Sequence, residues 1–258
     1  MDKFTRLLGV LLAGCFVQAC SVVPPPDSLV PGTKARKMVA QRASAVVVTD
    51  RDDLSHWMRG GFPVSHVVGD AEGGSATPIS PDGYFLTASH VLARQEGRNV
   101  FVMYGAGARR VPFKARLVWR SKAADLALLH IPAPTRHYYR WTRADQWLSE
   151  GTGVIHGGIA TGRQSAWGKL GTSIAPETPF AGVRKFKIDI PLQPGDSGGP
   201  VVDAHGALVG INSAVEFLVP METAFFVDSE ACRPNTRRIA SLMQRDRACN
   251  HLSPPDVE

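Results

Sequence analysis

The sequence is poor in cysteine, in charged residues and in long apolar segments. Its 258 residues include four cysteines, in no pattern typical of a zinc site, so we expect no metal and no cofactor. The apolar segment near the N-terminus, residues 7–12, is too short to cross a bilayer as a helix. These shortages argue against a zinc protein and against a membrane-spanning N-terminal helix.

Charge and hydropathy place the chain among folded proteins. Charged residues make up 20% of the chain and hydrophobic residues 44%, which is enough to build one large or two small domains and is not a disordered composition. The net charge of +6 is mildly basic. No nucleic-acid recognition motif accompanies it, so we expect no nucleic-acid partner.

The first fourteen residues form a predicted targeting segment. Lys3 and Arg6 precede the apolar residues 7–12, as in a signal peptide. The segment ends in Leu12-Ala13-Gly14-Cys15, which resembles the lipobox of bacterial lipoproteins, where the cysteine is acylated and becomes the first residue. Cys15 is therefore the first candidate for lipidation. Cys20, after Val17-Gln18-Ala19, is the alternative, and an ordinary secretory signal is the third possibility.

The lipobox resemblance also implies a location. It predicts a lipid-anchored protein of the bacterial cell envelope. Because Phe16 rather than an aspartate follows Cys15, the resemblance favours the outer membrane, facing the periplasm, in a host that has one. Residues 15–44 are predicted to be a tether, since they contain Pro24-Pro25-Pro26 and a basic run but no periodic apolar face.

The remainder of the chain has a β pattern. Between residues 45 and 232, short apolar or alternating segments are separated by Gly, Pro, Asn and Asp, which predicts an all-β barrel or sandwich. Pro132-Ala133-Pro134 lies between two halves, at about 45–135 and 145–232. Residues 233–258 are expected to form a helix, with Ile239, Leu242 and Met243 on one face, and a tail.

One turn concentrates the chemistry. Pro194-Gly195-Asp196-Ser197-Gly198-Gly199-Pro200 presents a hydroxyl among glycines and leads into a predicted strand. A serine becomes a nucleophile when a base accepts its proton and a third group orients that base. His90 follows the strand-like residues 83–86, and Asp125 precedes those at 126–129. The order His90, Asp125, Ser197 along the chain is that of one known triad class.

These motifs resemble the trypsin-like serine peptidases of the chymotrypsin fold, nearest the bacterial HtrA-type branch. Residues 82–91, 125–129 and 189–202 carry the resemblance, which extends over roughly residues 60 to 230. It implies two packed six-stranded β-barrels with a C-terminal α-helix and a serine endopeptidase acting on proteins or peptides. It also implies an oxyanion hole formed by the backbone of Gly195 and Ser197. About ten residues follow the predicted helix, which leaves no room for the PDZ domain that many HtrA-type enzymes carry.

The resemblance also assigns a substrate pocket. Pro191 stands where trypsins carry an aspartate, so we expect cleavage after small or medium apolar residues rather than after Lys or Arg. The remaining predicted pocket residues are Leu192, Ser213, Ala214 and Val215. HtrA-type enzymes usually carry Asn at position 196, and trypsin-type zymogens pair this aspartate with a new N-terminus. Here Asp196 is expected to find an Arg, Lys or backbone partner or to remain exposed.

Two further expectations complete the sequence analysis. Cys232 and Cys249 flank the predicted helix in a secreted chain, which predicts a disulfide between them. Two other functions fit parts of the pattern: a non-catalytic or latent envelope binding protein on the same fold, and a serine esterase. An α/β-hydrolase esterase needs a helix after the serine and a later catalytic histidine, and His205 and His251 alone follow Ser197.

Overall fold

The computed structural model describes residues 32–54, 58–59, 62–63, 72–105, 109–159, 166–190, 192–217 and 227–251. The predicted signal peptide, Cys15, Cys20 and the proline-rich part of the predicted tether lie outside these ranges. Within them, no helix has the length and apolar character needed to cross a membrane.

The first half of the chain forms a curled antiparallel sheet of order β7-β6-β1-β4-β5-β9-β8. Ala115 alone separates β7 from β8, so one bent segment supplies both edges and closes the sheet on itself. A separate two-stranded ladder joins β2 to β3. The strands are β1 (Ser44–Thr49), β2 (Met58–Arg59), β3 (Phe62–Pro63), β4 (Glu72–Pro78), β5 (Tyr84–Ala88), β6 (Asn99–Tyr104), β7 (Val111–Lys114), β8 (Arg116–Ser121) and β9 (Leu126–His130).

The second half forms a six-stranded antiparallel sheet of order β11-β10-β13-β14-β15-β12. An antiparallel bridge from Leu170 to Ile188 joins its two edges, so this sheet also closes. The strands are β10 (Gly153–His156), β11 (Ala166–Lys169), β12 (Arg184–Ile188), β13 (Pro200–Asp203), β14 (Leu208–Phe217) and β15 (Val227–Arg233). The predicted all-β fold of two packed barrels is confirmed.

Each barrel has its own core, and a third apolar cluster fills the seam between them. In β5 and β9 every residue is buried because both faces are covered. Phe85 and Leu129 point into the first barrel, whereas Tyr84 and Leu128 belong to the seam cluster, which also contains Val202 of β13. This two-sided burial explains why these strands are continuous apolar runs in the sequence rather than alternating ones.

A helix occupies part of the segment predicted as a tether. Helix α1 (Thr33–Gln41) buries Ala35 and Val39, one turn apart, in the seam cluster. The Val39 side chain packs so closely on Gly157 that a Cβ at residue 157 would lie 2.0 Å from Val39 Cγ1. The tether prediction is therefore wrong for residues 33–44. The basic residues of this segment lie on the exposed face of α1, and the two buried apolar residues are too few to predict a packed helix.

Helix α2 (Thr236–Asn250) confirms the predicted C-terminal helix. The side chain of Asn235 caps its first turn by accepting a hydrogen bond from the N–H of Arg238 at 3.0 Å. Near its end, Asp246 accepts two hydrogen bonds from Arg116, at 2.6 and 2.7 Å, and one from the Tyr84 hydroxyl at 2.8 Å. These contacts attach α2 to the outside of the first barrel.

The predicted Cys232–Cys249 disulfide is wrong. Both cysteines are free thiols, Cys232 buried in β15 and Cys249 exposed near the end of α2. From Thr236 to Cys249 the helix rises by about 20 Å, since each residue advances 1.5 Å. A disulfide needs Cα atoms within about 7 Å. Flanking a helix therefore separates two cysteines by its length instead of bringing them together.

We predict that Val39→Ala lowers the free energy of unfolding by about 1–3 kcal/mol, because it leaves a cavity in the seam cluster. Urea unfolding measures this change. Lys37→Ala, on the exposed face of the same helix, is the matched control and should leave the free energy of unfolding unchanged. Equal, negligible effects of both substitutions would mean that residues 33–41 do not pack on the barrels.

A second prediction concerns pH and α2. Hydrogen bonds from Arg116, aided by Tyr84, hold the pKa of Asp246 below its ordinary value against the opposing effect of burial. A lowered carboxyl pKa contributes stability above the pKa of the unfolded chain and loses it as pH falls through the folded-state pKa. We expect Asp246→Asn to cost about 1–2 kcal/mol near pH 7, and the difference from wild type to shrink below about pH 4.

Urea titrations at several pH values test this expectation. Asp145→Asn is the control, because Asp145 pairs with Arg143 in open solvent and its loss should leave stability unchanged at every pH. A wild-type advantage over Asp246→Asn that stays constant into acid would contradict the assignment.

Candidate active site

Strand pairing brings His90 and Asp125 together. His90 lies in the 3₁₀ turn Ser89–Leu92 that follows β5, and Asp125 immediately precedes β9. In the ladder, Ala88 is opposite Leu126, so the end of one strand meets the start of the other. The N–H of Ser89 donates to the carbonyl oxygen of Asp125 at 3.1 Å, which fixes the junction.

Two hydrogen bonds join the Asp125 carboxylate to His90. The backbone N–H of His90 donates to Oδ1 at 2.9 Å, and ring Nδ1 lies 2.8 Å from Oδ2. Because an ionised carboxylate only accepts, Nδ1 carries the hydrogen and Nε2 of the neutral ring is left as a base. Asp125 has a φ of 47°, in the left-handed region that Asp tolerates better than most residues.

Ser213 gives Asp125 a third donor. Its hydroxyl donates to Oδ2 of Asp125 at 2.5 Å. Burial by itself would raise the pKa of the Asp125 carboxyl, but the hydrogen bonds from His90 and Ser213 outweigh it, and the pKa lies below its ordinary value. Asp125 is therefore ionised at neutral pH. The sequence assigned Ser213 to a substrate pocket and did not anticipate this contact with the carboxylate.

Hydrogen bonds join the turn that carries Ser197 to the first barrel. The N–H of Ser75 in β4 donates to the carbonyl oxygen of Ser197 at 2.7 Å. The Ser75 hydroxyl donates to the carbonyl oxygen of Gly195, also at 2.7 Å. Thr77, two residues on, donates from its hydroxyl to the carbonyl oxygen of Gly198 at 2.9 Å. A Cβ at Gly198 would lie 2.1 Å from Ser75 O, so glycine permits the close approach.

Sequence reasoning missed Ser75 and Thr77. The available signal was weak: two small hydroxyl residues at alternate positions of a strand whose last five residues are all buried. Buried hydroxyls need hydrogen-bond partners, so such a pair indicates a polar contact inside the fold. Nothing local identifies the partner, which lies about 120 residues further along the chain.

Donors are available around Ser197. In the part of the chain that the structure describes, the N–H groups of Gly195 and Ser197 have no intramolecular acceptor. Gly195 has a φ of 103°, which favours glycine. The Ser197 hydroxyl likewise has no hydrogen bond to any described residue, His90 included. The structure thus brings His90, Asp125 and Ser213 into contact and leaves Ser197 without a direct hydrogen bond to His90.

Asp196 points away from solvent. It is completely buried, its Oδ2 accepts the N–H of Gln193 at 3.0 Å, and its Oδ1 lies 3.7 Å from Nε2 of His156. The expected backbone partner is present, and the alternative of an exposed carboxylate is wrong. A histidine partner was not anticipated, because His156 is forty residues away in β10 and belongs to no motif.

The predicted pocket is described only in part. Leu192 is buried in the apolar core of the second barrel, so little of its surface is open to a ligand. Ala214 and Val215 lie in β14 opposite Glu230 and Ser229 of β15, where the structure describes their backbone. Pro191 lies outside the described residues. Within the described ranges, no cluster of His, Cys, Asp or Glu is suited to hold a metal ion.

Comparison with known proteins gives consistent results. The family model of the trypsin-like peptidase domain matches residues 74–211. A probable periplasmic serine endoprotease, DegP-like, of Pseudomonas fluorescens is 32% identical over 174 residues, which cover 61% of this chain and 34% of that protein. A DegP-like protein of Brucella suis is 30% identical over 170 residues, covering 58% and 31%. The chain thus spans about a third of the length of these curated relatives.

A solved structure shares the fold. The HtrA-type protease AlgW with a tripeptide superimposes with a TM-score of 0.56 at 23% identity, covering 83% of this chain and 63% of that one. The family match includes more than half of the chain and contains His90, Asp125 and Ser197. This chain therefore belongs to the trypsin-like peptidase family.

Proposed function

We propose that this chain is a serine endopeptidase of the bacterial cell envelope, in which His90, Asp125 and Ser197 hydrolyse peptide bonds through an acyl-enzyme. One observation carries the proposal: the Asp125 carboxylate holds His90 through Nδ1 at 2.8 Å, and hydrogen bonds from β4 of the same barrel hold the turn that carries Ser197. Catalytic hydrogen bonds often tighten only when substrate binds, so the missing Ser197–His90 bond is compatible with this role.

The proposed reaction has two halves. Ser197 Oγ attacks the peptide carbonyl carbon while His90 Nε2 accepts the hydroxyl proton, and the tetrahedral intermediate collapses as His90 delivers that proton to the leaving amine. Water then attacks the acyl-enzyme, His90 accepts its proton and returns it to Ser197 Oγ, and the carboxylic acid leaves. Asp125, ionised because of its lowered pKa, stabilises the imidazolium formed in each half.

The oxyanion would be stabilised by the N–H groups of Gly195 and Ser197. Neither has an acceptor among the described residues, and donors of this kind are typically worth about 10²–10³ in rate. Ser75 supports this arrangement, because it binds the carbonyl oxygens of the same two residues. Its hydroxyl also accepts the N–H of Ile159 at 2.9 Å, so its rotamer is fixed from both sides.

The envelope location and the lipid anchor are parts of the same proposal. The relatives in Pseudomonas and Brucella are named as periplasmic, which agrees with a signal peptide at residues 1–14. We infer that acylation of Cys15, or alternatively Cys20, holds the two barrels at the membrane. Preference for small or medium apolar residues at P1 remains a prediction from Pro191 and Val215.

Ser197→Ala should abolish peptide hydrolysis and labelling by a fluorophosphonate probe, with a loss of rate on the order of 10⁴ or more. Ser149→Ala, which removes an exposed hydroxyl, is the matched control and should retain both. Labelling of the Ser197→Ala protein would refute the nucleophile. A folded wild type that neither reacts nor cleaves would indicate a binding protein, and turnover of esters without peptides would indicate an esterase.

Lipidation is tested on the full chain produced in a bacterial host. Mass spectrometry of the N-terminal peptide should show a diacylglycerol-modified Cys15, and the protein should fractionate with the membrane. Cys15→Ser should release it to the soluble periplasmic fraction. Acylation at Cys20 would select the alternative, and an unmodified N-terminus in soluble wild type would overturn the anchor.

A further inference from the structure

A buried histidine next to the turn that carries Ser197 has no part in the proposed mechanism. His156 ends β10, is 0% exposed, and lies opposite Val201 of β13. Its Nδ1 is 3.1 Å from the carbonyl oxygen of Pro200, and its Nε2 is 3.7 Å from Oδ1 of Asp196. The ring therefore contacts both ends of the turn that contains Ser197.

The hydrogen-bond partners determine where the protons of His156 lie. A carbonyl oxygen only accepts, so the contact with Pro200 requires a hydrogen on Nδ1. In a neutral ring, Nε2 would then present a lone pair to the Asp196 carboxylate, which also only accepts. Nε2 has no hydrogen-bond partner among the described residues. A second proton on Nε2 replaces this repulsion between two acceptors with attraction between an imidazolium and a carboxylate.

The residues that face His156 and Gly157 from the neighbouring strands and from α1 are uncharged. The elements packed on β10 bring neutral groups: Gly199 and Pro200 from the turn and β13, Ala166 from β11, and Val39 from α1 against the adjacent Gly157. The ionisable side chain that the structure pairs with the ring is Asp196. A buried carboxylate without a counter-charge is costly to desolvate, and a cation beside it offsets part of that cost.

The turn and the ring fit each other sterically. A Cβ at Gly199 would lie 2.7 Å from Cε1 of His156 and 3.0 Å from the carbonyl oxygen of Asp196. Gly158, two residues after His156, approaches the same aspartate so closely that a Cβ there would lie 2.3 Å from Oδ1. The position of Asp196, and with it that of Ser197, is therefore defined by the end of β10.

We propose that His156 is a positioning residue that acts as an imidazolium: its ion pair with Asp196 holds the turn from Gly195 to Gly199 in the shape that catalysis needs. This inference rests on the proposed peptidase function. It implies opposite proton requirements at the two histidines. His90 acts as a base in its neutral form, whereas His156 holds the turn in its charged form, so we expect activity to decline at both acid and alkaline pH.

Nuclear magnetic resonance tests the charge without any turnover. In ¹⁵N-histidine-labelled Ser197→Ala protein, we expect both ring nitrogens of His156 to carry hydrogens near neutral pH. A neutral ring with a bare Nε2 across the stable pH range would overturn the proposal. This readout stands even if the chain proves not to be a peptidase.

The pH dependence of kcat and KM tests the positioning role. His156→Gln cannot bear a charge, and we expect kcat to fall about 10- to 100-fold at the pH optimum with little change in KM. In Asp196→Asn the side-chain amide donates to the lone pair of neutral His156, so the extra proton is no longer needed. We expect its remaining activity to lose the alkaline decline.

His205→Gln is the matched control, since His205 is exposed in the loop between β13 and β14, and it should keep the wild-type profile. Circular dichroism establishes that each variant is folded. If His156→Gln does not fold, Asp196→Asn and the spectra still decide the matter. An alkaline decline that is unchanged in Asp196→Asn, or unchanged kcat in folded His156→Gln, would refute the role.

Discussion

The hydrogen bonds from β4 to the turn that carries Ser197 are the constraint on which the candidate site depends. His90 and Asp125 belong to the first barrel and Ser197 to the second, and each barrel has a separate apolar core. Their relative position is therefore set at the seam. There, Ser75 binds the carbonyl oxygens of Gly195 and Ser197, each at 2.7 Å, and these short directional contacts fix orientation in a way that apolar packing alone does not.

The two helices stabilise the same seam from outside the barrels. Val39 of α1 and Ile239 of α2 share one apolar cluster with Tyr84 and Leu128 of the first barrel and Val202 of the second. Apolar burial supplies most of the free energy of such contacts but little directional preference. The polar contacts of α2 with Asp82, Tyr84 and Arg116 add direction, so the helix docks in one orientation.

The sequence predicted what depends on local pattern. The all-β class follows from short apolar segments separated by turn residues, whereas the grouping of His90 with Asp125 was predicted from their order along the chain and from the family resemblance. The contacts of Ser75 and His156 could not be predicted, because each joins positions that are distant in sequence and adjacent only after both barrels close. The tether prediction was wrong because α1 buries only two apolar residues, Ala35 and Val39, which is too few to give a recognisable periodic face in the sequence. The disulfide prediction was wrong because α2 holds Cys249 far from Cys232.

The site contains two histidine–aspartate pairs, and the carboxylate lies near Nδ1 of the ring in one pair and near Nε2 in the other. In His90, Nδ1 donates to Asp125, so the carboxylate fixes the tautomer and leaves Nε2 bare in a partly exposed ring. In His156, Nδ1 donates to a neutral carbonyl, and Nε2 faces Asp196 inside the protein. The carboxylate of Asp125 thus fixes which nitrogen of the neutral His90 ring carries the hydrogen, whereas both contacts of His156 are satisfied together when each of its nitrogens carries one. The same two residue types thus make different contacts, because the backbone determines which ring nitrogen meets the carboxylate.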